Sequence, residues 1–224
     1  SDVSFNNAFS PSVSSNIARI FLLYRFFIYL TLSELFIFGK SLRSCRSDEL
    51  GIWKMMPFDD ADLAKEYEGF MSDYFTKTYG GKEELFFAKT LFVCDRQDKP
   101  IATCLSWKAY DEFNTIQWFK VLKEYEGQGI GRALLSIIMQ GLEMGDYPVY
   151  LHTQPSSFRA IKLYSDFGFS LLSGDNVGTR KNELNECLPI LEEFMPKEYF
   201  QKLRIITAPK EFEDIVNKYD TNQF

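Results

Sequence analysis

Apolar positions along the chain change period several times, and the changes mark out its elements. Leu91 to Cys94, Ile101 to Trp107 and Ile116 to Val121 have the length and the β-branched or aromatic content of strands. The polar segments 95–100 and 111–114 between them read as hairpin-type connections, so three consecutive antiparallel strands are predicted. The spacing then lengthens to three and four: Leu134, Leu135, Ile138 and Leu142 share one face of a helix beginning at Arg132, with Gly141 and Gly145 weakening its end. The order repeats over 149–169 as a strand, a turn containing Pro155, and a helix with Ala160, Ile161, Tyr164 and Phe167 at helical spacing, which Gly168 stops.

Towards the N-terminus, 51–56 fits a first strand and 57–64 a helix start capped by Asp59 or Asp60. Residues 1–15 read as an irregular lead-in and the basic, serine-containing stretch 40–49 as a linker. Residues 17–38 are rich in Phe, Leu, Ile and Tyr, but Arg19, Arg25 and Glu34 leave only 26–33 uncharged, short of the roughly 20 residues a spanning helix needs. The stretch therefore reads as a buried helix or strand pair in an extension, and it lacks the pattern of a signal peptide. After Leu172 the pattern predicts a loop over 173–178, a helix over 185–200 interrupted by Pro189 and Pro196, a strand over 204–209 and a short helix over 212–218. The resulting division is 1–49, an apolar extension and linker; 50–172, a catalytic-type domain; and 173–224, a C-terminal extension packed on it.

Composition narrows the function classes. With 46% hydrophobic and 17% aromatic residues, the 224-residue chain has enough apolar content for one full core plus extensions. A formal charge of −6 opposes a broad basic face for nucleic acid or anionic membrane and leans towards a cationic substrate such as an amine. Cys45, Cys94, Cys104 and Cys187 form no Cys-x-x-Cys pair and only one His is present, so a zinc site is not expected and a reducing cytoplasm is.

The chemistry is concentrated in Gly127-Gln128-Gly129-Ile130-Gly131-Arg132, between the strand ending at Val121 and the helix after it. Glycines let backbone approach an anion, and a helix start offers unpaired N–H groups and the positive end of its dipole, so this run is a phosphate cradle. A Walker loop would have Lys-Ser or Lys-Thr after the last glycine, where Arg132-Ala133 stand. A dinucleotide fingerprint would have a third glycine three residues after the second, where Arg132 or Leu134 stands.

What remains resembles the GNAT superfamily of acyl-CoA-dependent N-acetyltransferases. Its signature is Arg or Gln, two residues, Gly, one residue, then Gly or Ala, places that Glu126, Gly129 and Gly131 occupy here. Glu126 departs from the usual Arg or Gln, and Lys123 stands where a Pro is common. The unit 149–169, ending Leu163-Tyr164 and Gly168-Phe169, resembles the family's late strand-helix-strand unit.

The resemblance implies an α+β GNAT fold, a mixed and mostly antiparallel central sheet flanked by helices, with N- and C-terminal extensions. It also implies transfer of an acetyl group from acetyl-CoA, without a metal, to a primary amine of a small molecule or peptide by direct attack in a ternary complex. Val121 would supply the oxyanion N–H; Glu126, Gly127, Gln128, Gly129, Ile130, Gly131 and Arg132 would hold the pyrophosphate. Ser157, where many members carry a pantetheine-binding Asn, would contact that arm or simply cap its helix. Tyr164 would protonate the departing thiolate or be an aromatic of the buried face. The strand 116–121 has no carboxylate, so Glu112, with Asp111 and His152 behind it, is the candidate general base. Trp107 and Trp118 belong to the core or to the walls of the acceptor cleft. A non-catalytic acyl-CoA-binding sensor or interaction module is the alternative. A homodimer is compatible with the sequence; nucleic-acid and membrane partners are not expected.

Overall fold

The computed structural model describes Ala18–Leu22, which form strand β1, residues 39–219 and Gln223. The lead-in 1–15 and, apart from β1, the apolar stretch 17–38 lie outside the described residues. The described chain divides into two compact units, 39–149 with Gln223, and Ala18–Leu22 with 150–219.

The first unit contains β2 (Ser41–Ser44), helices α1 (Leu50–Met55), α2 (Ala61–Glu66), α3 (Glu68–Tyr79) and α4 (Glu83–Lys89), strands β3 (Thr90–Cys94), β4 (Pro100–Ala109) and β5 (Phe113–Val121), and helix α5 (Ile130–Gln140). The strands run antiparallel in the spatial order β5-β4-β3-β2, and the three predicted strands are among them. Ile101, Ala102, Thr103, Cys104 and Leu105 of β4 are all buried, as a strand covered on both faces requires. Helix α5 begins at Ile130, two residues before the predicted start, and buries Ala133, Leu134, Leu135 and Ile138.

Two sequence expectations fail here for tertiary reasons. Residues 51–55 lie in helix α1 with Met56 as its C-cap, because Trp53 and Met56, three apart, are buried while Ile52 and Met55 face out. The Trp53 indole packs edge-on against Phe86 at 4.9 Å, Trp118 at 5.2 Å, and Phe75 and Tyr79 at 6.1 Å, which a strand's alternation would forgo. The supposed linker 40–49 is strand β2 followed by a 3-10 turn, Ser47–Glu49. Long-range ion pairs hold it: Arg43 reaches Glu49 at 2.6 Å and Asp98 at 2.9 Å, and Arg46 reaches Asp98 at 2.8 Å. The Arg43 guanidinium holds the Glu49 carboxyl below the usual carboxylate range. Asp60 caps α2 as expected, accepting from the N–H groups of Asp62 and Leu63.

The second unit contains β1, β6 (Val149–Thr153, of which Val149 belongs to the first unit), α6 (Phe158–Asp166), β7 (Phe169–Ser173), the hairpin β8 (Asn176–Val177) and β9 (Arg180–Lys181), α7 (Leu184–Phe194), α8 (Lys197–Phe200), β10 (Ile205–Thr207) and α9 (Lys210–Val216). Its strands lie in the order β10-β7-β1-β6, antiparallel except for β10, which adds parallel to β7. Gly168, at φ 91, ends α6 as predicted. The expected loop 173–178 includes β8. Pro189 lies inside α7 instead of breaking it: it and Asn185, whose carbonyl loses its N–H donor, are on the exposed face, where water substitutes. Tyr150 and Phe212 stack at 3.7 Å, holding α9 against β6.

Candidate functional site

The site is built from the end of β5 forward. Thr103 pairs with Lys120 and Leu105 with Gln117, so three steps on β5 face two on β4, a bulge at 118–119 with Trp118 at φ 53. Beyond it, Leu122 N–H donates to Ile101 O at 2.9 Å. Alternation along the strand therefore turns the N–H of Val121 away from β4.

A 3-10 turn, Lys123–Tyr125, leads into the glycine run. Gly127 (φ 74) and Gly129 (φ 79) occupy the left-handed region, and a Cβ on either would meet nothing within 4 Å. Backbone conformation rather than crowding demands glycine there, and the space above both residues is open. Any other residue in that conformation costs about 1–2 kcal/mol. Gly129 is the N-cap of α5, whose first turn closes with a bond from Ala133 N–H to Gly129 O at 3.0 Å. The N–H groups of Ile130 and Gly131 therefore have no intrahelical acceptor, and with the helix dipole they form an anion site.

A cation that no motif announced also reaches this loop. Lys40 Nζ, just before β2, donates to Gln128 Oε1 at 3.4 Å, while Gln128 Nε2 donates to Glu124 O at 3.3 Å. The two residues are 88 apart in the chain, so no local pattern pointed to the pairing. Glu126, Gly127, Gln128 and Gly129 are exposed, and Arg132 is half-buried on the first turn of α5. All the residues expected to bind the cofactor's phosphates are thus contiguous in one unit, with Val121.

The expected acid–base residues lie outside the segment 121–132. Glu112 sits in the exposed turn before β5, nine residues from Val121, or about 30 Å along an extended strand, and the structure does not bring the two together. Asp111 in the same turn is held by Lys82 at 2.7 Å. In the second unit, Tyr164 is buried on α6 with its ring 5.8 Å from that of Phe169. Ser157 is the N-cap of α6, but its hydroxyl makes no capping bond, so the capping alternative fails. His152 Nδ1 lies 3.0 Å from Arg180 Nη1 and accepts from it.

Beside the bulge, side chains form a polar chain inside aromatic packing. Trp118 Nε1–H donates to the Tyr79 hydroxyl at 2.9 Å, that hydroxyl donates to Gln117 Oε1, and Gln117 Nε2 donates to Thr115 Oγ1 at 2.9 Å. Burial pushes the Tyr79 phenol well up and keeps it neutral. Trp107 is core, whereas Trp118 is half-buried. Asp59 is carried to β5 by a 2.6 Å ion pair with Lys120, one residue from Val121. All four cysteines are free and buried. Burial pushes Cys45 up to about 12 and Cys94 and Cys187 up to about 11, and Cys104 also rises, so none is a thiolate near neutral pH. Among the described residues there is no metal-competent group of His, Cys, Asp and Glu, and no helix long and apolar enough to cross a membrane.

The family model for "Acetyltransferase (GNAT) family" matches residues 55–169, half of the chain and both motif blocks. No protein of curated function matches the chain in sequence. Among solved structures, the glucosamine N-acetyltransferase region of a fungal multi-domain β-N-acetylglucosaminidase is 12% identical, with 70% of this chain and 20% of that one covered and a TM-score of 0.45. This chain thus spans a fifth of that protein. A GNAT-family acetyltransferase from Staphylococcus aureus is 15% identical over 57% of this chain and 81% of its own, with a TM-score of 0.42. A GCN5-related N-acetyltransferase from Sphaerobacter thermophilus is 19% identical over 70% and 48%, with a TM-score of 0.43.

Proposed function

We infer that this chain, which belongs to the acetyltransferase (GNAT) family, transfers an acetyl group from acetyl-CoA to a primary amine by direct attack. The observation that carries this reading is the continuity of Val121, its N–H turned away from β4, with the left-handed Gly127 and Gly129 and the unbonded N–H groups opening α5. That segment offers an oxyanion donor at one end and a diphosphate site at the other, as a nucleotide-linked thioester needs. The open space above the glycines supports the fit. Lys40 and Arg132 supply positive charge that Glu126 does not.

In this reading the neutral amine nitrogen attacks the thioester carbonyl carbon, the C–N bond forms, and the oxygen's growing negative charge is met by Val121 N–H. The C–S bond then breaks, the nitrogen passes its proton to solvent water, the departing thiolate takes one from the Tyr164 hydroxyl, and the phenolate is reprotonated from solvent. Direct attack is favoured over an acyl-cysteine intermediate because every thiol is buried and protonated. Free thiols also support a cytoplasmic setting.

A second reading, an acyl-CoA sensor without turnover, is favoured by one feature: Glu126 places a carboxylate at the loop's exposed lip, and 116–121 contains none for a base. Calorimetry with acetyl-CoA alongside CoA release against a panel of amines separates the two. Binding with turnover supports the transferase, binding without turnover on any amine supports the sensor, and no binding overturns both. Tyr164→Phe tests the acid: its loss should lower kcat by about 10²-fold with the KM for acetyl-CoA little changed, and an unchanged kcat removes the assignment.

A further inference from the structure

The first unit carries a surface the transfer reading has not used. Five aromatic rings follow one another: Phe58 to Tyr67 at 5.4 Å, Tyr67 to Phe70 at 6.3 Å, Phe70 to Tyr74 at 6.2 Å and Tyr74 to Trp118 at 5.2 Å. The row ends on the residue three before Val121, about 10 Å away along the strand. It is not core: Phe70 is 57% exposed and the other four are half-buried.

Carboxylates border the row. Asp59 adjoins Phe58, and Asp73 stands three residues after Phe70, beside it on the surface of α3. Between 57 and 76 Asp59, Asp60, Asp62, Glu66, Glu68 and Asp73 face a single cation, Lys65. Of the neighbouring cations, Lys120 is paired with Asp59 at 2.6 Å and Lys54 donates to the Ser72 hydroxyl at 2.9 Å, while Lys77 stands three residues after Tyr74 on α3. A row of partly exposed rings bordered by negative charge repels an anion and attracts a cation.

The ring spacing narrows the cation. Nitrogens separated by three or four methylenes lie about 5 to 6 Å apart in an extended chain of bonds of about 1.5 Å, and the row repeats every 5.2 to 6.3 Å. We propose that this row is the acceptor subsite and that the acceptor is a linear di- or triamine. One terminal nitrogen is neutral for attack beside Val121, and the others are protonated along the aromatic faces. This rests on the acetyl-transfer reading above and names its substrate class.

The test is CoA release from acetyl-CoA with spermidine, 1,4-diaminobutane and butylamine, together with calorimetry of spermidine on the CoA-loaded protein. The expected kcat/KM for spermidine exceeds that for butylamine at least about tenfold, with an advantage that shrinks as salt rises. Phe70→Ala, at an exposed position, should raise the spermidine KM about fivefold and weaken its calorimetric binding to match, leaving the KM for acetyl-CoA unchanged. Equal efficiency for spermidine and butylamine, or an unchanged spermidine KM in Phe70→Ala, overturns the proposal while leaving acetyl transfer standing. If no amine is turned over, acetyl transfer fails, and the calorimetry still decides the subsite: spermidine binding lost in Phe70→Ala upholds it, and no binding sinks it. If Phe70→Ala instead converts a dimer to a monomer with unchanged spermidine kinetics, the row is a contact between copies of the chain and the proposal is wrong.

Discussion

The glycine loop and the aromatic packing beside it are neighbours along β5, yet they are made in opposite ways. The loop works through backbone: two left-handed glycines, a helix start and an N–H at a strand end, all within 121–132. The aromatic region works through side chains gathered from α1, α3, α4 and β5, with Trp53 at the centre of its buried part and Phe70 on its surface. A site made of backbone requires particular residues at consecutive positions. A site made of side chains requires only that distant segments meet.

The largest effect that tests this contrast is on stability. Trp53→Ala removes the buried hub of four aromatic contacts and should cost about 3–5 kcal/mol in urea unfolding; a loss under 1 kcal/mol would mean the cluster is not the keystone of its unit. Gly129→Val instead spares the core and strains the loop. It should lower kcat/KM for acetyl-CoA about 10- to 100-fold while the stability lost in urea stays near the strain of about 1–2 kcal/mol, and a variant that unfolds without losing CoA affinity would reverse the assignment.

Glu49 separates folding from site electrostatics. Its carboxyl is depressed chiefly by the hydrogen bond from Arg43, so the stabilisation is present above the usual carboxylate range near 4.5 and is lost as the pH falls through the lower folded value. Glu49→Gln should cost about 1.5–3 kcal/mol at pH 7 and flatten the decline in stability measured by denaturation between pH 5 and 3. An identical decline in the variant would assign the acid sensitivity to other groups. The smallest effect belongs to Lys40→Ala, which should weaken CoA about threefold to tenfold, more at low salt than at high; salt-independent affinity equal to the parent's would remove Lys40 from the cradle.

Legibility followed the same division. The predicted strands at 91–94, 101–107 and 116–121, the helix after the glycine loop and the stop at Gly168 are present, because each is specified by local periodicity or by a glycine's backbone freedom. The strand expected at 51–56 is a helix and the linker at 40–49 is an edge strand, because Trp53 and Arg43 are placed by partners up to 65 and 55 residues away. Glu112, expected from its nearness in sequence to β5, lies at the opposite end of that strand from Val121. Asp59, read as a possible cap, is instead drawn to Lys120 by an ion pair across 61 residues.

The sequence by itself determined the family and its glycine loop, because that loop is local: glycine spacing, a strand before and a helix after restrict the backbone to a few conformations. Tertiary structure alone decided what surrounds the reacting end. The Trp53–Trp118 contact, the Asp59–Lys120 pair, the reach of Lys40 to Gln128 and the step from Tyr74 to Trp118 in the aromatic row join residues 44 to 88 positions apart where their elements meet. Such contacts depend on how packed elements meet, which has no period in the chain, so no spacing rule could have announced them.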